Sequence, residues 1–155
     1  MIRALALFYV MVLLVWGNVF AQEDGFGLGV IVGEPTGICG KLWTSGRTAV
    51  DGAVAWSFEG ESSVHLHADF LYHDFNHVTA ERGELMLYYG IGGRVKFEDD
   101  SKAGIRFPAG IDYLFPEAPF DFFFEIAPVL DLAPSTKLEF NAALGFRYFF
   151  GKSRY

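Results

Sequence analysis

The sequence predicts an all-β fold: an eight-stranded antiparallel transmembrane up-and-down β-barrel preceded by a cleavable signal peptide. Three observations predict it. From Phe120 to Phe150 bulky apolar residues recur at every second position, which is the period of a strand and not of a helix. In the same stretch one phase carries no charge and the other carries almost every charge. Finally, beyond residue 21 there is no apolar run of about 18 residues, so any membrane-spanning part must be made of strands.

The 155 residues allow one domain of useful size. Aromatics make up 17% of the chain, while Lys and Arg together number only 12, few for a fully hydrated surface. The formal charge of -7 disfavours nucleic acid, whose phosphates it would repel. At the N-terminus Arg3 precedes the apolar run Ala4 to Trp16, Gly17 and Asn18 interrupt it, and Val19-Phe20-Ala21 supplies small residues for cleavage after Ala21. That run falls short of the roughly 20 residues needed to span a bilayer as a helix. Residues 1 to 21 therefore read as a signal peptide and 22 to 155 as the barrel domain. Cys39 is the only cysteine, so neither an internal disulfide nor a cysteine-based zinc cluster can form.

In chain order, the first strand sets Phe26, Leu28, Val30 and Val32 against Gly27, Gly29, Ile31 and Gly33. Glu34 to Gly37 turn it into a second strand from about Ile38 to Thr44, with Cys39, Lys41 and Trp43 on one side. A third strand spans about Thr48 to Phe58 and ends in the polar tip Glu59 to Ser63. The fourth, about Val64 to Phe75, opposes Val64, Leu66, Ala68, Phe70 and Tyr72 to His65, His67, Asp69, Leu71 and His73. Residues 76 to 83 form the longest connection. The fifth strand, about Glu84 to Phe97, leads into the charged tip Glu98 to Lys102, and the sixth ends near Phe115. The last two, Phe120 to Leu132 and Leu138 to Phe150, flank a turn at Ala133 to Thr136. Connections this short enforce antiparallel neighbours.

Alternation alone does not say which phase faces outward; volume does. An eight-stranded barrel has an interior just wide enough for side chains to fill, and the Phe, Leu, Ile, Val and Tyr of the apolar phase are too many and too large for it. They therefore face lipid. The other phase points inward and brings Lys41, Arg94, Lys96, Arg106 and Arg147 together with Asp51, Asp69, Asp112, Asp121, Glu125, Asp131 and Glu139. Unpaired charge is costly in so narrow a space, which predicts a charge-paired, largely plugged lumen. Trp56, Phe58, Tyr72, Phe97, Tyr113, Phe115, Phe120, Tyr148 and Phe150, near strand ends, are expected to form interfacial girdles. Pro108 and Pro128 each imply a bulge or a lost ladder bond.

The segments Gly27 to Trp43 (GLGVIVGEPTGICGKLW), His65 to Phe70 (HLHADF), Leu87 to Phe97 (LYYGIGGRVKF), Gly104 to Phe115 (GIRFPAGIDYLF), Pro119 to Leu132 (PFDFFFEIAPVLDL) and Asn141 to Phe150 (NAALGFRYFF) resemble a family of small outer-membrane β-barrels of spirochaetes and other bacteria, whose function is not established. The GEPTG turn and the GK after it are its most specific part. The resemblance implies an eight-stranded barrel in the cell outer membrane and supplies no catalytic residue. Gly145, Tyr148 and Phe150 on the last strand look like the C-terminal signal read by the barrel-assembly machinery, although Gly151 to Tyr155 follow it. Outer-membrane lipid and that machinery are the expected partners, with any extracellular partner unspecified.

No cofactor is implied. His65, His67, Asp69 and His73 lie along one inward line and offer either a metal site or further members of the luminal network. Ser62, Ser63 and His65 sit where a lipid-A-modifying enzyme would place a nucleophile and base, and a narrow channel for small solutes is the remaining alternative. The reading favoured by the residues is a non-enzymatic structural or surface-interaction protein. Its outer tips would be residues 34 to 36, 59 to 63, 98 to 102 and 133 to 136, with an acidic rim at Glu59, Glu61, Glu98, Asp99 and Asp100.

Overall fold

A computed structural model describes residues 25 to 57, 62 to 74 and 80 to 151. The signal peptide with residues 22 to 24, Phe58 to Glu61 at the third tip, Phe75 and the first half of the 76 to 83 connection, and the Lys152 to Tyr155 tail lie outside the described residues. The strands are β1 (Phe26–Gly33), β2 (Thr36–Trp43), β3 (Thr48–Ser57), β4 (Ser63–Asp74), β5 (Glu84–Phe97), β6 (Lys102–Arg106), β7 (Ala109–Leu114), β8 (Phe120–Ala133) and β9 (Lys137–Phe150). Apart from β6 and β7, each pairs antiparallel with its sequence neighbours, and β1 closes the circle on β9 from Phe26 opposite Phe150 to Gly33 opposite Ala143. Because β6 and β7 both lie between β5 and β8, they form one stave, and the barrel has eight.

The break in the sixth stave is at Phe107 and Pro108, and it answers the proline question. Gly90 donates its N–H to the Pro108 carbonyl at 2.9 Å, and Phe107 donates to the Pro128 carbonyl at 2.9 Å. Neither proline can return the bond, so the wall lacks two ladder donors side by side. The register on either side is unchanged, with Arg106 opposite Gly92 and Ala109 opposite Tyr89. The lost bonds are thus taken without a bulge at either proline; the irregularity in the ladder falls instead at Ala103 and Gly104 opposite β8.

The second strand begins two residues earlier than its sequence suggests, at Thr36. Its hydroxyl donates to the Gly33 carbonyl at 2.9 Å and accepts from the Gly33 N–H at 3.0 Å, closing the turn around Glu34 and Pro35. Gly33 itself has φ +137°, a conformation a residue with a Cβ rarely takes.

Every described strand keeps the inward and outward phases read from the sequence. Phe140 is 68% exposed, and Val32 and Tyr89 are each 59% exposed, while Arg106, Asp112, Asp121 and His73 on the opposite phase are completely buried. A soluble fold buries its largest apolar groups and exposes its charges. This one inverts that rule along its whole height. Fourteen residues, the length of β5, β8 and β9, extend about 46 Å, and at a tilt of about 40° cover about 35 Å, enough for an apolar band of about 25 Å.

At one end the outward aromatics touch in sequence: Tyr113 with Phe115 (5.0 Å between ring centroids), Phe120 with Phe146 (4.9 Å), and Tyr148 with both Phe120 (5.2 Å) and Phe150 (4.8 Å). Tyr72 and Tyr89 approach to 5.6 Å on the opposite side of the wall. Ring contacts of this kind, edge-to-face in three of the five, fit an interfacial belt better than isolated packing.

The inward phase is less uniformly small and charged than the sequence suggested. Ile31, Cys39, Leu71, Tyr88 and Phe123 form one buried apolar cluster in the lumen, and Trp43, Ala49, Met86 and Leu114, with Phe149 against them, form a second. The second lies at the barrel end that holds Gly25 and Gly151, where Trp43 donates its backbone N–H to the Gly25 carbonyl. An aromatic ring over a glycine explains how these groups fit: Phe149 covers Gly27, and Tyr88 covers Gly110.

Candidate functional site in the lumen

Ten of the twelve charges assigned inward are buried inside the barrel, Lys96 and Glu139 are half-buried toward its rim, and the ladder sorts them by depth. Nearest the apolar seal, Lys41 pairs with Asp112, donates to His73 Nε2 at 2.9 Å, and lies 4.3 Å above the Trp43 ring. Arg147 contacts Asp121 through Nε (2.9 Å) and Nη2 (2.8 Å), reaches Asp112 at 3.3 Å and Asp51 at 3.7 Å, and stacks 4.1 Å from the Phe123 ring. One guanidinium thus serves carboxylates from three staves, a use of its planar fork that a lysine could not match.

Farther along, Arg106 donates through Nε to Asp69 Oδ2 (3.1 Å) and through Nη2 to Glu125 Oε1 (2.5 Å). The Tyr88 hydroxyl donates to the other Glu125 oxygen at 2.9 Å. Toward the end where β4 and β9 begin, Arg94 grips Asp131 with two bonds of 3.0 and 2.5 Å and Glu139 with one of 2.7 Å. Lys96 turns out to be a rim residue, pairing with Glu98 at 3.4 Å.

Three participants were not assigned to the network from the sequence. Lys102 bonds Glu139 at 3.2 Å and Glu98 at 3.3 Å, so residues read as a solvated tip are its outermost layer. Extending the inward phase of Arg106 and Gly104 by two residues reaches Lys102, which was the available signal. Burial alone would raise the Glu98 carboxyl, but the hydrogen bond from Lys102 and the charge of Lys96 outweigh it and hold Glu98 below its usual range. Tyr88 also lay in the inward phase, without a charge to mark it.

The histidines do not converge. His65 and His67 stand edge to face at 5.6 Å, His67 Nδ1 lies 3.4 Å from Arg106 Nη1, and its Nε2 is 3.9 Å from Asp69 Oδ2. His73 belongs to the Lys41 cluster. Among the described residues no group of three His, Cys, Asp or Glu side chains is arranged to hold a metal ion. Ser63 Oγ and His65 Nε2 are buried, and neither has a hydrogen-bond partner, so they do not form a nucleophile and base couple. Further unpartnered atoms are one oxygen each of Asp51, Asp69 and Asp112, and Asn141 Nδ2.

An outward apolar band around an interior of paired charges defines an eight-stranded β-barrel of the outer-membrane type. Among solved structures, the N-terminal β-barrel domain of Pseudomonas aeruginosa OprF is similar over 83% of this chain and 98% of its own, with a TM-score of 0.61 and 15% identity. Ail, the attachment invasion locus protein of Yersinia pestis, aligns over 81% of this chain and 94% of its own at TM-score 0.37 and 15% identity. No protein-family model matches the chain, and no curated protein does. The likeness is therefore one of fold, and the narrower spirochaete-type resemblance gains no support from it.

Proposed function

We propose that this chain is a non-enzymatic protein of the bacterial outer membrane whose filled barrel serves as a structural or surface-interaction element. The observation that carries the reading is the continuity of the luminal packing. From Trp43, Met86 and Leu114 through the Lys41 and Arg147 cluster to Arg106 and Arg94, each level is occupied by side chains that touch. A solute crossing the barrel would have to break buried ion pairs one layer after another, each costing about 3–5 kcal/mol when one partner is left alone. Outward, the exposed Phe, Leu, Val and Ile are suited to acyl chains and to little else. In this reading the termini face the periplasm, the Glu98 to Ser101 tip faces outside, and membrane lipid and the assembly machinery are the partners.

Single-channel recording in planar bilayers tests it. The folded protein should leave the bilayer current at baseline, and stable steps of porin size would refute a filled lumen. Protease or amine-reactive labelling of intact cells should reach Lys102 and Lys137 at the tips; labelling only after the outer membrane is broken would reverse the orientation.

A further inference from the structure

The end of the barrel that holds Gly25 and Gly151 carries a recess of about 410 Å³ on its rim. One wall is the turn between β7 and β8, with Pro116, Glu117 and Pro119; the other is the close of β9, with Tyr148, Phe149 and Phe150. Backbone hydrogen bonds tie the two walls together: Phe149 donates to the Pro119 carbonyl at 2.7 Å, and Phe120 donates to the Ala118 carbonyl at 2.8 Å. Two prolines within four residues fix φ in the turn as well. The recess is thus held open by the fold itself.

Its back is closed. Phe149 packs against the apolar seal of Trp43, Met86 and Leu114, so the recess does not lead into the lumen. Its front opens on the aromatic belt: Tyr148 is 41% and Phe150 53% exposed, their rings lie 4.8 Å apart, and Tyr148 also meets Phe120 at 5.2 Å. Such a belt marks the height at which acyl chains give way to headgroups. A lipid headgroup is therefore what the bilayer delivers to this place.

The lining selects among headgroups. Among the described residues that border the recess Glu117 carries the only charge, and it is exposed. A headgroup whose phosphate stands alone is repelled by that carboxylate, and no lysine or arginine of the lining offsets the repulsion. An ammonium is attracted twice, by the carboxylate and by the π surface of the neighbouring rings. We propose that the recess binds the ammonium of an ethanolamine headgroup, with Glu117 as its counter-charge and Tyr148 and Phe150 as its aromatic wall. A phosphatidylethanolamine molecule is thereby held at this end of the barrel. The proposal deepens the lipid partnership described above and rests on the membrane reading.

Short-chain phosphatidylethanolamine is the probe, with phosphatidylglycerol of the same chains as the control. The full mature protein, folded in detergent micelles, would be titrated while the ring signals of Tyr148 and Phe150 are followed by NMR. A saturable shift with the ethanolamine lipid alone is expected, weakened about two- to fivefold in both Glu117→Gln and Phe150→Leu, the worth of one exposed ion pair or ring–cation contact. Equal shifts with both lipids, or an ethanolamine shift unchanged in Glu117→Gln, would mean that the belt only takes up acyl chains and would overturn the proposal. Absence of any saturable shift would overturn it too, leaving water or the chain's own Lys152 and Arg154 as the occupant. Glu117 lies in an exposed turn, so its variant keeps the test available should Phe150→Leu fail to fold. The two readings fail separately: a mature chain that stays dissolved and monomeric without detergent defeats the membrane reading, whereas a micelle-folded protein blind to the ethanolamine group defeats the recess alone.

Discussion

The ring of Phe123 on β8 lies over Gly145, its directly paired neighbour on β9, so closely that a Cβ on the glycine would come within 2.1 Å of the ring. Phe123 is itself buried and supports the Arg147 guanidinium. Gly145, read from the sequence as part of an assembly signal, therefore also has a packing role. Gly145→Ala should destabilise the folded barrel by about 1–3 kcal/mol, the usual cost of overfilling a packed interior. Urea titration in liposomes, scored by the gel mobility of folded and unfolded forms, measures this; an unchanged midpoint would mean the ring moves aside freely.

Arg147 holds Asp121, Asp112 and Asp51 at once. Arg147→Met leaves those carboxylates short of their main cation, and a loss of about 3–5 kcal/mol is expected. Combining it with Asp121→Leu removes one of the stranded charges. The double variant should be more stable than the single one, and the reverse order would show that the pair is not what holds this layer.

Ile126 lies at mid-wall, opposite Ala109 on one side and Ala142 on the other, and faces outward. Ile126→Lys should cost about 2–4 kcal/mol in a bilayer, whereas Leu132→Lys, one residue from the end of β8, should cost about 0–1 kcal/mol. The comparison is made by equilibrium unfolding from lipid vesicles. Equal costs at the two depths would contradict the assigned band.

Glu98 is held below the usual carboxylate range between Lys102 and Lys96. A group with a depressed folded-state value stabilises the fold above its unfolded value, near 4.5, and loses that contribution as pH falls through the lower folded one. Hydrogen exchange at the β5 to β6 tip should therefore accelerate in acid below about pH 4.5. Glu98→Gln should flatten that response. The site is half-buried at the rim, where water and salt still reach it, so the effect is small and should shrink further in high salt.

The sequence by itself determined which way each described strand faces. Side-chain direction in a strand alternates with the backbone, whatever the neighbours are, so Phe140 outward and Arg147 inward could be read without knowing a partner. It also located the luminal charges and signalled trouble at Pro108 and Pro128. The closed structure alone decided which charges meet. Lys41 and Asp112 are 71 residues apart, and they touch because β1 closes on β9 in one register and the stagger accumulated around eight staves fixes relative depth. Local alternation holds no record of that stagger. For the same reason the sequence could not show that His73 joins Lys41 rather than His67, that Phe123 fits over Gly145, or that Ser63 Oγ, His65 Nε2 and Asn141 Nδ2 have no hydrogen-bond partner.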